Sequence, residues 1–410
     1  MKTNTITLST NKSNNFIINQ AINIILLLLI FSIPLSTSLT TILFSIFMLL
    51  WITEGNYPTK INCIWQYPAC FATILLLIGL TIGSLYSCAS WPEIINFLKK
   101  MVKLIYLPFL IFYFKNPNQR KLAINSLIIS GIATSAAGLI LDSYQPFKNS
   151  IDTSLTVTIT IFLLLHKIDI KNKLYVNFSI LLLSLFNVFY LFYISIGRTA
   201  QLICLLLIPL FFIQKIRDFN LNNNNKYLII IPTSLIILLL LFCGFFSKPL
   251  HHHWKEVIIK YQEYQANPIN YSSNSISYRL TFFKNTLALI KQKPWLGWGT
   301  GSFIPVYKQF AEKNNTLLTT NPHNEYLLWG TQLGIVGISL LLWWFYILFK
   351  TSFIIQQNYE KYILQGTILT IFVGCFSNSW IMDFMPGYLF IILIAVSLGA
   401  LPDVRTKTII

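Results

Sequence analysis

The chain has 410 residues, of which 55% are hydrophobic and only 10% charged, with a mean hydropathy of +0.62. That is more apolar surface than a soluble domain of this size can bury, so the composition predicts an all-α, polytopic membrane protein. The formal net charge of +17 falls largely on Lys and Arg flanking apolar runs, where it directs membrane topology, and no nucleic acid is implied. Cys63, Cys70, Cys88, Cys204, Cys243 and Cys375 lie in or beside apolar runs, which leaves neither a disulfide framework nor a CxxC metal site.

In chain order, apolar runs near the length of a membrane helix fall at about 16–33, 35–52, 68–88, 98–114, 121–141, 151–166, 174–194, 198–213, 227–246, 323–349, 360–380 and 386–401, which predicts about twelve transmembrane helices. No small-residue cleavage site follows the first run, so it is expected to stay as an uncleaved helix. An N-terminus on the inside puts the basic clusters around 115–121, 167–173, 215–226 and 350–361 inside as well, and both termini are predicted to be cytoplasmic. The outer face nevertheless stays positive, which suits an anionic substrate or phosphate-bearing lipid, or contact with headgroups alone.

Several polar residues stand out along the way. Lys99, Lys100 and Lys103 defy the positive-inside trend at the outer start of the fourth run; they either hold phosphate or mark a tilted helix start. Arg198, in "YISIGRTAQL", is expected at the outer turn between the seventh and eighth helices. A guanidinium left at mid-membrane costs about 2.5 to 3.5 kcal/mol, so it either snorkels to the surface or faces a polar cavity as a fixed cation for phosphate. Asn222 to Asn225 read as a solvated patch. His251, His252 and His253 are consecutive, diverge by about 100° each on a helix, and cannot all converge on one metal.

The organisation predicted is nine helices over 1–246, one long outer segment over 247–320, and three helices over 321–410. Within the outer segment Ile276, Leu280, Phe283, Leu287 and Ile290 form one helical stripe, flanked by Arg279, Lys284 and Lys291, which predicts an amphipathic helix at the membrane interface. Pro294 ends it, and "KPWLGWGTGSF" follows. Its alternating glycines either expose backbone N–H groups to an anion or form a turn anchored by two tryptophans.

In "TTNPHNEYLLWGTQLGIVG" Asn321 suits an N-cap and Pro322 the first helical position, placing His323 in the first turn of the tenth membrane helix. Gly330, Gly334 and Gly337 then fall within about 40° of His323 around the helix, and Gly330 with Gly334 makes a GxxxG pair for close helix packing. His323 should therefore point into the protein, and the positive helix end disfavours its imidazolium. A neutral imidazole is what a general base needs; the other reading is a histidine merely hydrogen-bonded where the helix begins. Glu325 reads as a favourable charge at that helix end. No paired carboxylates of DxD type lie outside the membrane, which argues against a glycosyl transfer dependent on a divalent ion.

These residues resemble a known family. His323 and Asn324, nine residues, Gly334, two residues and Gly337 reproduce the H-N-x9-G-x-x-G pattern of bacterial O-antigen ligases, in the wider family that includes O-antigen polymerases and protein O-oligosaccharyltransferases. "SYRLTFFKNTLALIKQKPWLGWGTGSF" and "SIGRTAQL" resemble that family's two arginine motifs. The resemblance implies a GT-C-like membrane fold in the bacterial inner membrane. It also implies transfer of glycan from undecaprenyl pyrophosphate to a hydroxyl of the lipid A core at the periplasmic face. By that likeness His323 corresponds to the base, and Arg198 and Arg279 to the arginines that bind the pyrophosphate. Asn324, Lys100 and Lys103 are possible supporting residues. No metal, ATP or other cofactor is expected, because the pyrophosphate is its own leaving group and arginines can neutralise it. Two alternatives share the chemistry, an O-antigen polymerase and a protein O-oligosaccharyltransferase. A third is a transporter, which would place ionisable residues near the bilayer midplane, whereas here they gather at one face.

Overall fold

The structure is a computed structural model that describes residues 3–169, 172–218 and 275–402, with Lys255, Ile258, Ile259, Tyr261, Gln262 and Gln265 between them. The predicted ninth span, the asparagine patch and the three consecutive histidines lie outside the described residues. Every regular element among the described residues is helical. They are α1 (Thr3–Ser32), α2 (Thr37–Glu54), α3 (Tyr57–Trp65), α4 (Pro68–Leu85), α5 (Trp91–Met101), a 3-10 turn (Val102–Ile105), α6 (Tyr106–Phe114), α7 (Pro117–Ile140), α8 (Ser150–Lys167), α9 (Leu174–Phe189) with a π turn (Tyr190–Ile194), and α10 (Arg198–Asp218). Further along come α11 (Ser275–Gln292), α12 (Phe303–Lys313), α13 (Glu325–Ser352), α14 (Asn358–Gly374) and α15 (Phe384–Leu398).

Six of these are long and apolar enough to cross a membrane: α2, α4, α7, α9 with its π turn, α10 and α13. Ile17–Ser32 of α1 and the whole of α15 are shorter apolar helices. The fourth run is no single helix, since it divides into the end of α5, the 3-10 turn and the nine-residue α6. The eleventh stops at Gly374, where the polar Ser377, Asn378 and Ser379 begin a loop.

Two short helices form the centre. In α8 every residue from Thr153 to His166 is buried, and α15 is buried on nearly all sides, as a helix apolar all round must be. The threonines of α8 are tolerated because their hydroxyls return to the preceding turn, Thr156 to Asp152 O and Thr160 to Thr156 O. Around this centre α10 packs on α8 and α14, α15 on α6 and α14, and α13 on α4, α11 and α14. At the end opposite the site, buried Arg120 donates to Glu360 and to the carbonyl oxygens of Phe114, Lys115 and Gly399, tying α6, α7, α14 and α15 together.

α13 is broken at Gly334 (φ 61, ψ −151), and the break is filled by the glycine-rich loop that follows α11. Trp298 N–H donates to Thr331 O, Gly299 N–H to Gln332 O, and Gly301 N–H to Gln332 Oε1, at 2.9, 2.7 and 2.5 Å. In return Ile335 N–H reaches Pro294 O at 2.8 Å. The other two N–H groups between Gly297 and Gly301 are also spent, Gly297 N–H on Lys293 O and Thr300 N–H on Gly83 O. The loop is thus an irregular backbone plugged into an interrupted helix, with each side satisfying the polar groups that the other leaves open. Every N–H from Gly297 to Gly301 is therefore spent within the protein, so the anion-binding reading of these glycines does not hold.

The packing role expected of the three glycines divides accordingly. Gly330 leaves room for Ile290 of α11, Gly334 faces the backbone of Pro294 and Trp295 in the loop, and Gly337 faces Leu333 and Trp329 O of its own helix. None of them meets the backbone of another helix as a GxxxG pair would.

Candidate functional site

Arg198, Arg279 and His323 gather at one end of the bundle, where four pieces of chain meet. These are the start of α10, the first half of α11, the stretch 319–324 before α13, and the loop 375–383 between α14 and α15.

α13 starts later than its sequence suggests. Its N-cap is Asn324, whose side chain accepts from Leu327 N–H at 2.9 Å, so Asn321 and Pro322 stand outside the helix and His323 precedes it. His323 has φ +53, a left-handed conformation uncommon for a residue with a side chain. Asn321 stabilises that turn, because its Oδ1 accepts both His323 N–H at 2.9 Å and Ser379 Oγ–H at 2.7 Å. An asparagine closing a turn two residues on competes well with helical bonding, which is the physical reason the helix starts at Glu325.

Because His323 is not on the helix, the angular argument that turned it inward does not apply. It is half-buried for another reason: its ring lies over Phe282 of α11, centroids 6.2 Å apart at 22°, within the usual range for offset aromatic pairs. Neither ring nitrogen has a hydrogen-bond partner among the described residues. Burial first, then the charge of Arg279, hold the imidazole below its ordinary value of 6.5. The neutral form therefore prevails at neutral pH.

Arg279 comes from α11, one helical turn before Phe282. The buried face of α11 is Ser277, Thr281, Phe282, Asn285, Thr286 and Leu289, while the apolar stripe around Leu280, Phe283 and Leu287 is half-buried to exposed. Arg279 sits between these faces. Its guanidinium makes one long contact, Nη2 to Asn378 Oδ1 at 3.5 Å, and pairs with no carboxylate among the described residues. Burial and then the Arg198 charge lower its pKa. The two cations therefore share one field, with most of the Arg279 donors unspent.

Arg198 is the first residue of α10. The chain reaches it through the π turn, which Gln201 closes by donating to Leu191 O and Ser195 O, and through Gly197, which lies against Ser154. Next to it, Thr199 and Ser377 hydroxyls are 2.9 Å apart, and Asn378 Nδ2 donates to Ser377 Oγ at 3.2 Å. A continuous polar track thus runs from the Arg198 end of α10 through Ser377 and Asn378 to Arg279. Arg198, Arg279 and His323 are brought together; Lys100 and Lys103 are not. Lys103 is 3% exposed, and its ammonium is spent on Met382 O, at 2.7 Å, and Asp383 O. Lys99 and Lys100 are exposed on α5. Of the two readings left open for Lys103, these contacts do not favour phosphate binding, since the charge is turned inward, onto the chain itself. Asn324 holds the helix start and donates to Phe376 O at 2.8 Å.

Sequence reasoning passed over the loop 375–383, reading most of it as the end of an apolar run. The signal was there in Ser377-Asn378-Ser379, three polar residues too many for a membrane end. Glu325 was also undervalued, for it is fully buried and its carboxylate accepts from Trp329 Nε1, Ile381 N–H and Met382 N–H.

Among the described residues no group of His, Cys, Asp and Glu is placed to hold a metal ion. What the site offers is fixed positive charge for an anion, beside a neutral imidazole with free nitrogens. No curated protein matches the chain at a significant level. Residues 180–342 match the family model described as O-antigen ligase. That stretch, about two fifths of the chain, includes Arg198, Arg279 and His323.

Proposed function

We propose that the protein is an O-antigen ligase of the bacterial inner membrane, with its termini in the cytoplasm and its site at the periplasmic face. In this reading it transfers glycan from undecaprenyl pyrophosphate to a hydroxyl of the lipid A core. The observation that carries the reading is the convergence of Arg198 and Arg279 on one field beside His323, with most of the Arg279 donors unspent. Planar guanidinium groups bind phosphate oxygens in pairs, and two of them suit a diphosphate.

The chemistry follows from those parts. The acceptor oxygen attacks the anomeric carbon of the donor sugar while the bond from that carbon to the phosphate oxygen breaks. The bonding pair leaves on the pyrophosphate, whose growing charge Arg198 and Arg279 neutralise. The hydroxyl proton passes to a ring nitrogen of His323. No metal is called for by this scheme. Attack from the face opposite the leaving group inverts the anomeric centre, and a product that keeps the donor's configuration would rule the single step out.

An O-antigen polymerase would use the same donor and the same groups. Deletion of the gene separates the two. The ligase reading expects bare core with accumulated lipid-linked polymer; core carrying a single repeat unit would identify a polymerase instead. A transporter would move the lipid-linked glycan between leaflets of a vesicle with no core acceptor present, which the ligase reading does not expect.

A further inference from the structure

The loop 375–383 supplies Ser377 and Asn378 to the site and Ser379 to the Asn321 bracket under His323, yet no regular structure holds it. Two buried ionic side chains do. Glu325, 0% exposed at the first position of α13, accepts Ile381 N–H and Met382 N–H on one oxygen at 3.0 and 3.2 Å, and Trp329 Nε1–H on the other at 3.0 Å. From the opposite side Lys103, in the 3-10 turn before α6, donates to the carbonyl oxygens of Met382 and Asp383. The same three-residue stretch is gripped by its N–H groups and by its carbonyls. The helix start is fastened to this loop at three more points: Glu325 N–H to Cys375 O, Asn324 Nδ2 to Phe376 O, and Ser379 Oγ to Asn321 Oδ1.

Burying two charges is expensive, and filling such a place with apolar side chains is often as stable or more so. What an apolar pair cannot do is grip both sides of an exposed backbone through charge-assisted bonds. We propose that Glu325 and Lys103 are positioning residues, a clamp that sets the loop 375–383 and through it the spacing of Arg279 from His323. The proposal deepens the transferase reading and its catalytic part rests on it. Neither residue touches the reacting groups. Glutamine at 325 would have to turn its NH2 toward either Trp329 Nε1 or the Ile381 and Met382 N–H groups, donor against donor, so Glu325→Gln breaks the grip while keeping the shape.

The test has two readouts on the full-length protein in membranes. Thr199→Cys with Ser377→Cys places two thiols where hydroxyls stand 2.9 Å apart, and mild oxidation should cross-link them, as mass spectrometry of the joined peptides reads. Adding Glu325→Gln or Lys103→Met should cut the cross-linked fraction severalfold. In the chain without the two cysteines, each change should lower kcat roughly tenfold or more, the loss expected of a charged hydrogen bond. KM for the lipid-linked donor should move less, and the double variant should fall short of the product of the two losses, because both act on one stretch of chain. If Glu325→Gln fails to insert, Lys103→Met, which leaves all three Glu325 bonds in place, decides the matter. Cross-linking unchanged by either substitution would overturn the clamp, and cross-linking lost with kcat intact would overturn its role in the reaction. If the wild type transfers no glycan, the transferase reading fails while the cross-link still tests the clamp.

Discussion

At the scale of single residues, the site depends on how a charge and a ring modify each other. His323 is held below 6.5 by burial and by Arg279, so its neutral form is the one the fold favours. A general base must be neutral, and kcat/KM should therefore stay flat through neutral pH and fall only on an acid limb below about pH 6.5. Arg279→Gln removes the second cause and leaves the first, so the limb should move upward in pH while activity drops. The same sign governs stability. A lowered histidine value contributes stability above the unfolded value, and this is lost as pH falls from about 6.5 toward the folded value. His323→Ala should lower kcat about 10²- to 10⁴-fold, the range of a lost general base, with insertion and thermal unfolding little changed. Arg279→Lys keeps the charge and loses the planar fork, so a loss of roughly tenfold or more is expected, read as initial transfer rates.

At the scale of elements, the interlock of α13 with the glycine loop makes a prediction that the GxxxG reading of the sequence does not. Gly334 has φ +61, and an added Cβ would lie 2.4 Å from the Trp295 backbone. Gly330 is an ordinary helical residue whose Cβ would meet only the tip of Ile290, at 2.8 Å. Gly334→Ala should therefore destabilise the protein by at least about 1–3 kcal/mol from backbone strain alone. Gly330→Ala should cost less, since Ile290 can shift. Thermal unfolding in detergent compares the two, and equal losses would contradict the interlock.

The same element shows what the sequence can and cannot carry. The glycines were legible as special, and so was a polar loop start, because both are local preferences. Which backbone each glycine approaches was not legible, since Gly334 meets a loop about forty residues upstream in the chain and Gln332 caps Gly301 across 31 positions. The start of α13 was misplaced by three residues because Asn321, Asn324 and Pro322 all suit a helix N-terminus. Only the bonds of Asn321 to His323 and Ser379 decide among them.

At the scale of the whole molecule, an apolar bundle gathers its unusual polar residues at one end, while buried Arg120 and Lys60 at other places spend their charges on Glu360, Glu54 and nearby carbonyls. Arg120 and Lys60 are satisfied internally and hold the bundle, whereas Arg279 makes one long contact among the described residues and keeps donors that a diphosphate would use. Arginines in place of a metal predict that transfer survives chelation, and an absolute requirement for added Mg²⁺ or Mn²⁺ would contradict the proposed scheme. The central claim is that this cradle moves glycan from a lipid pyrophosphate with His323 as base. It is tested most directly by reconstituting purified wild type and His323→Ala with the lipid-linked glycan and a lipid A core acceptor, and measuring glycosylated core against bound donor. The account predicts transfer by the wild type, and in the variant donor binding retained with transfer lost. Transfer at the wild-type rate by His323→Ala would contradict it.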